Sequence, residues 1–359
     1  MWDKVKTARG RGASGRIPNR FEQNQYEPDP EYLEWQHQTG DEEPVKTKVH
    51  HEATRSVISR NKSPDISFSA SLNPYRGCEH GCSYCYARPT HEYLGFSAGL
   101  DFESRILAKH DAPGLLKAEF DRPRYQPETL VMSGVTDAYQ PLEKKLGISR
   151  GCLEVLVEYG HPVVIITKNR LVTRDADLLA ELARRRKARV WISITSLQPE
   201  LARVFEPRAS SPENRLAAIA ELHRHGIPVG VMTAPIVPGL NDHEVPAILS
   251  QAAKAGASFA SFTAVRLPLA VAPLFLDWLE RHFPERRDKV VHQIEQMRGG
   301  KLNQSEFHQR FKGSGPVAEH LRRLFELGAR RAGLTRQVPD LEVAGFRPPG
   351  PAQLSLFED

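Results

Sequence analysis

Three of the chain's four cysteines, Cys78, Cys82 and Cys85, share one short stretch at the spacing C-x3-C-x2-C. Thiolate sulfur is the usual ligand of iron-sulfur clusters, normally four to a 4Fe-4S cluster. Three thiolates on one loop can hold such a cluster and leave one iron without a protein ligand. An open iron is where a small molecule can bind and react. A structural zinc site as a rule takes four protein ligands. The fourth cysteine, Cys152, is remote in the sequence, and His80 lies between two of the three, so zinc is the weaker reading of the same loop. Disulfides fail on parity, since three cysteines cannot pair off, and no secretory signal precedes them.

The elements that must position this loop follow from periodicity. Apolar runs ending in polar residues mark strands at Ile66 to Asn73, Thr129 to Ser133, Pro162 to Thr167, Arg189 to Thr195, Pro228 to Ala234 and Ser258 to Ala264. Amphipathic stretches between them predict helices near Lys144 to Tyr159, Asp175 to Arg186, Pro212 to His225 and Asp242 to Ala255. Strands alternating with helices of this length imply a parallel sheet. Six such units make an α/β protein with a partial (β/α)6 TIM-type barrel, whose chemistry gathers at the C-terminal ends of the strands.

Those ends carry polar candidates. Ser133, Thr136 and Asp137 follow the second strand. Ser193 and Thr195 lie two apart on the fourth, which puts them on one face. Arg208 follows in Phe205-Glu206-Pro207-Arg208, where a guanidinium suits a bidentate carboxylate. Asn241 sits in a Pro-Gly-Leu-Asn turn that starts the next helix. Tyr139 either faces a substrate or packs. Cys152, among apolar residues of helical period, reads as a buried inert thiol.

C-x3-C-x2-C with an aromatic residue, Tyr84, before the last cysteine resembles the cluster loop of radical S-adenosylmethionine (SAM) enzymes. The resemblance implies a 4Fe-4S cluster held by Cys78, Cys82 and Cys85, and SAM chelated at the open iron through its amino and carboxylate groups. One electron then cleaves the sulfonium and yields a 5'-deoxyadenosyl radical; the difficult chemistry is the cofactor's. It also implies cofactor contacts from Tyr84 through its backbone, from Ser133, Thr136 and Asp137 to the amino group, from Ser193, Thr195 and Arg208 to the ribose or carboxylate, and from the segment of Asn241 to the adenine. The further combination of Asn73-Pro-Tyr-Arg-Gly-Cys78, Tyr84-Cys85-Tyr86-Ala87-Arg88, Thr136-Asp137 with Gln140-Pro141, and Pro238-Gly-Leu-Asn241 resembles the spore photoproduct lyase-like group over residues 60 to 335.

Composition bounds the rest. At 359 residues with a net charge of +5, the chain suits one large domain with appendages. No apolar run reaches the ~20 residues of a membrane span, so a soluble cytoplasmic protein is expected. Residues 1–60 read as a largely disordered basic arm, 61–285 as the barrel core, 286–340 as a helical extension with a helix near Val317 to Ala332, and 341–359 as a proline-rich tail. Basic residues gather at Lys4, Lys6, Arg9, Arg11, Arg16 and Arg20 and again at Arg322, Arg323, Arg330, Arg331 and Arg336, a pattern that suits phosphates or simply solvated faces. In the tail, Gln353-Leu354-Ser355-Leu356-Phe357 resembles the peptide that docks bacterial polymerases and repair proteins on the sliding clamp. Expected partners are therefore DNA, a sliding clamp and an electron donor such as flavodoxin or ferredoxin, with no membrane. The expected function is radical SAM repair or modification of a nucleic acid. The alternatives are a radical SAM enzyme acting on a peptide or small molecule, and a non-catalytic iron-sulfur protein that binds nucleic acid.

Overall fold

The computed structural model describes residues 3–4, 10–22, 45–338 and 340–347. Six strands, β1 Ala70–Leu72, β2 Leu130–Met132, β3 Val163–Thr167, β4 Ala188–Ser193, β5 Val229–Ile236 and β6 Phe259–Ala264, lie side by side in chain order. All five pairings are parallel, and Met132, Ile165, Val190 and Val229 share one row across the sheet. Each strand overlaps the apolar run that predicts it, the first shortened to three residues. β1 and β6 do not pair, and the outer edge of β1 carries the antiparallel strand Ile58–Arg60. The barrel is therefore open between its first and last strands.

The helices α1 Ala112–Phe120, α2 Ile148–Glu158, α3 Ala176–Arg184, α4 Pro212–Arg224, α5 Val245–Lys254 and α6 Val271–His282 follow the strands, and α7 Arg287–Met297 and α8 Gly315–Arg331 complete the extension. The predicted helix Lys144 to Tyr159 is split at Gly147, whose φ of 66° ends a first turn and opens α2. α1 escaped the periodicity because Pro113 and Gly114 open it; proline is well placed in a first helical turn, where its missing N–H costs nothing.

Alternation gives the sheet two faces. Leu72, Met132, Ile165, Ile192 and Val231 point outward into a core shared with Leu153, Leu179, Leu222 and Ile248 of the helices. The opposite parity, Val131, Val164, Trp191 and Phe259, forms a separate cluster that plugs the lower lumen. Trp191 stands edge-on to Phe259 with ring centroids 4.7 Å apart. A Cβ at Gly230 would lie 2.1 Å from the Phe259 ring, so the glycine in β5 makes room for the plug. Val338 and Leu341 of the segment after α8 join it from below. Lys187 fixes that segment by donating to the carbonyls of Glu342 and Ala344, at 3.2 and 2.5 Å. With the base sealed, access to the lumen is from the C-terminal ends of the strands.

Residues 10–22 and 45–60, within the stretch whose composition predicts disorder, lie against the barrel, and Arg11, Ala13, Ser14 and Asn19 are buried. The clamp-like residues Gln353, Leu354, Leu356 and Phe357 lie outside the described residues. Among the described residues no helix is long and apolar enough to cross a membrane.

Two buried histidines make the fold acid-sensitive. Burial pushes His91 down to about 4, against the hydrogen bond from its Nε2 to the Arg105 carbonyl. Burial likewise pushes His161, stacked on Phe120 at 4.5 Å, down to about 4. Both are neutral when folded and take up protons near pH 6.5 when unfolded, so the unfolded state binds more protons and stability falls as pH drops from about 6.5 to 4. Urea unfolding across that window should show a loss of about 2 to 3 kcal/mol per pH unit, reduced in a His161→Gln variant; a flat profile would refute the assignment.

Candidate active site

The cysteines sit on the connection that leaves β1. Successive tight turns, with Cys78 accepting from the Gly81 N–H and Cys82 from the Cys85 N–H, fold the loop on itself. Cys78 and Cys82 are buried and Cys85 is partly exposed, all as free thiols. Burial pushes all three thiols up, Cys82 to about 12, with Asp137 adding to the rise at Cys78, Glu206 at Cys82, and Cys85 a smaller part at both. Backbone N–H groups of Asp137 and Ala87 point at the sulfurs of Cys78 and Cys85, and such bonds stabilise thiolates and tune clusters. Among the described residues no three His, Cys, Asp or Glu side chains are gathered as ligands of a single metal ion.

Three carboxylates brace the loop, Glu103 and Glu206 buried and Asp137 nearly so. Glu103, fully buried, receives Arg88 at 2.6 Å and the backbone N–H groups of Gly12 and Ala13 at 3.0 and 2.8 Å. Arg88 in turn donates to the carbonyls of Cys82 and Gly99. The N-terminal segment is thus a strap over the loop, and it fits only without a side chain: a Cβ on Gly12 would stand 1.6 Å from the Gly81 carbonyl oxygen. The second carboxylate, Asp137, accepts from the Thr167 hydroxyl at 2.7 Å and the Lys168 N–H at 2.8 Å, and pairs with His80 at 3.4 Å. Burial would raise its pKa, but His80 and these donors pull it down to about 2. The third, Glu206, takes the Tyr84 hydroxyl and pairs with Arg215, with all three side chains buried. Burial again opposes, yet Arg215 and Lys168 hold its carboxyl below the usual range. The ring of Tyr84 packs on Phe205 at 4.4 Å.

Above the apolar plug the inner face turns polar. Ser193 donates to the Ala234 carbonyl at 3.1 Å. Thr195 is buried with its Oγ1 lacking any partner. Lys168, at the end of β3, lies over the Tyr84 ring with its Nζ 5.9 Å from the centroid. Burial would lower its pKa, but the Cys82 thiol and Glu206 raise it. A cation and an unpaired hydroxyl thus face the lumen beside the cysteine loop.

The other predicted residues are placed as supports. Ser133 accepts from the Ala138 N–H at 2.8 Å, and Thr136 donates to the Tyr75 carbonyl at 3.1 Å. Arg208 is paired with Glu79 at 3.0 Å and donates its N–H to the His80 carbonyl. The Asn241 amide bridges the carbonyls of Thr195 and Pro235 and accepts from the Val237 N–H, which ties the turn after β5 to the end of β4. These side chains bond to the protein itself. Tyr139 is buried with its hydroxyl on Asp175, and Cys152 is a buried thiol raised by desolvation. Sequence reasoning passed over Glu103, Glu206, Arg215 and Lys168. Only Lys168 carried a signal, its place at a strand end.

A model of the radical SAM superfamily matches residues 72–252, about half of the chain and all of it within this barrel. The chain belongs to the radical SAM superfamily. It is an enzyme of that superfamily, whose members pair SAM with a 4Fe-4S cluster, so the cofactors expected from the loop are the family's own. An uncharacterised protein of Mycobacterium tuberculosis is 36% identical over 230 residues, 63% of this chain and 68% of that one. An uncharacterised protein of Methanocaldococcus jannaschii is 30% identical over 231 residues, 64% of this chain and 82% of the relative. Among solved structures, a spore photoproduct lyase complexed with its dinucleoside spore photoproduct shares the fold with a TM-score of 0.55 at 16% identity, covering 80% of this chain and 81% of the other.

The strap and its anchor can be tested without any cofactor. Glu103→Gln leaves Arg88 buried without its charge partner and should cost about 3 to 5 kcal/mol in urea unfolding of the apoprotein. Gly12→Val should lift the strap while the barrel stays folded, read as faster tryptic cleavage after Arg11 and Arg16 with little change in the melting of the rest. Unchanged cleavage would show that the segment is not held by this contact.

Proposed function

We propose that Cys78, Cys82 and Cys85 hold a 4Fe-4S cluster with one open iron, that SAM occupies the polar upper lumen beside it, and that the enzyme repairs or modifies a nucleic acid. The observation that carries the reading is the meeting of three thiols on one loop with the Lys168 cation and the unpaired Thr195 hydroxyl at the unsealed end of the described lumen. When bound, the cluster, once reduced by an external donor, would supply one electron to the sulfonium of SAM, whose C5'–S bond would break to leave methionine and a 5'-deoxyadenosyl radical. The chain's own residues do the rest. Lys168 offers a counter-charge for a carboxylate, and Thr195 offers a hydroxyl whose alternative is to remain unsatisfied, at a cost of about 1 to 3 kcal/mol. Tyr84, locked by Glu206, keeps the loop backbone in place, and the Trp191 and Phe259 plug keeps water from entering from below.

For the substrate, support comes from the shared fold of a spore photoproduct lyase solved with a dinucleoside lesion. A bacterial sliding clamp reached through Gln353, Leu354, Leu356 and Phe357, and a flavodoxin or ferredoxin as electron donor, belong to the same reading. Deleting residues 353–359 should abolish binding to purified clamp, and unchanged binding would rule the clamp out.

The reaction class is tested by anaerobic reconstitution, with iron, sulfide and 5'-deoxyadenosine assayed in the presence of SAM and dithionite. About four irons per chain and deoxyadenosine formation, both lost in Cys82→Ala, are expected. Zinc in place of iron without SAM cleavage would refute the reading.

A further inference from the structure

The cations that the sequence offers for a polyanion are largely engaged. Arg16 and Arg20 are paired with Asp101 and Glu92, Arg322 and Arg323 with Glu319, and Arg336 with Glu326. Arg266 differs. It stands two residues beyond β6, at the mouth, on the side where the barrel is open. Its Nε is buried without a hydrogen-bond partner. Its guanidinium lies between two rings, 4.7 Å from the centroid of Phe311 and 5.8 Å from that of Tyr86. Asp65, which attracts it, is occupied by Arg310 at 2.6 Å and by the His308 N–H at 2.6 Å. Burial first, and then Arg310, lower the pKa of Arg266. A desolvated cation with a second cation beside it gains most from an incoming anion.

The surroundings are built rather than incidental. Arg298, itself buried, donates to the carbonyls of Gln309 and Arg310 at 3.1 and 2.8 Å and to that of Val265 at 2.6 Å. Ala264 adds an N–H to the Phe311 carbonyl. The loop that carries Phe307, Arg310 and Phe311 is thereby fixed to the residue before Arg266. Across the opening, Tyr86 follows Cys85 directly and is held by its hydroxyl on the Gly134 carbonyl at 2.7 Å. Tyr86 and Phe307 are each about half exposed, at 51% and 55%, and Arg310 lies over Phe307 at 4.8 Å. Rings and guanidinium groups therefore alternate along one lip that begins at the cysteine loop.

We propose that this lip, Tyr86, Arg266, Phe311, Arg310 and Phe307, is a binding site for an unpaired nucleic-acid strand, with Arg266 receiving a phosphodiester and the exposed rings stacking bases. Aromatic faces accept any base, and guanidinium groups neutralise the backbone between them. A peptide or a small carboxylate would use the cation but leave two exposed rings without a purpose. The inference deepens the nucleic-acid reading given above and rests on it.

The test uses the reconstituted full-length protein and a fluorescein-labelled twelve-nucleotide oligothymidylate, with binding followed by anisotropy over a range of KCl. Arg266→Ala should weaken binding roughly ten-fold or more and lower the salt slope by about 0.7, the share of one phosphate on a single strand. Arg266→Lys should keep the slope and recover part of the affinity, and Phe307→Ala should weaken binding with the slope unchanged. Arg323→Ala, on α8 and away from the mouth, serves as the control that leaves binding as it was, and thermal unfolding confirms that each variant is folded. Wild-type binding that survives Arg266→Ala would overturn the site while leaving the nucleic-acid reading intact. No binding by the wild type to this strand or to the same sequence as a duplex would overturn the reading itself. A variant that loses SAM in equilibrium dialysis and keeps the oligonucleotide would reassign Arg266 to the cofactor and overturn the proposal.

Discussion

The ion pair between Arg88 and Glu103, with neither side chain accessible to solvent, is the constraint on which the site depends. Two charges removed from water cost more than their mutual attraction returns unless every remaining donor and acceptor is satisfied. Here they are used fully. Arg88 holds one carbonyl within the cysteine loop and one beyond it, and Glu103 draws in two backbone N–H groups from a segment some ninety residues away. The pair therefore specifies a position more than it adds stability, and the position is that of the loop that carries Cys78, Cys82 and Cys85.

Asp137 and Glu206 repeat the device from the other side. Asp137 connects the loop after β2 to the end of β3 and to His80, and Glu206 connects the loop after β4 to Tyr84. Three carboxylates on three different elements thus approach one loop, each with a basic partner of its own: Arg88, His80 and Arg215. Glu79 with Arg208 adds a fourth link. Thiols held this way need no metal group to organise them, since the framework that fixes them is protein alone.

The barrel was legible because parallel strands buried on both faces read as unbroken apolar runs, and Pro162-Val-Val-Ile-Ile-Thr167 is such a run. The cysteine spacing made the centre of the site legible too. The strap was not, because Arg11-Gly12-Ala13-Ser14-Gly15 has the composition of a linker, and its smallness serves a close approach that no pattern announces. Glu206 and Arg215 look like surface residues of a loop and a helix; only the fold shows that they meet in the interior. Arg208 and Asn241 were noticed at strand ends, but the pattern did not supply their partners, Glu79 for the one and the carbonyls of Thr195 and Pro235 for the other, since proximity in sequence to a strand end does not say whether a side chain faces the lumen or a neighbouring backbone. Arg266 gave no signal, because one arginine after a strand looks like any solvated residue.

The short strand Ile58–Arg60 on the outer edge of β1 has a consequence for what the enzyme can accept. Open sheets invite extended polypeptides to add themselves as one more strand. Here the β1 edge is already taken, and the β6 edge is engaged by Thr335 at Ala260 and by Phe311 at Ala264. The gap between those two contacts is shorter than a strand that would have to dock. Among the described residues neither β1 nor β6 thus leaves a free backbone run for a protein chain to join, and the edge that remains is the three-residue strand Ile58–Arg60.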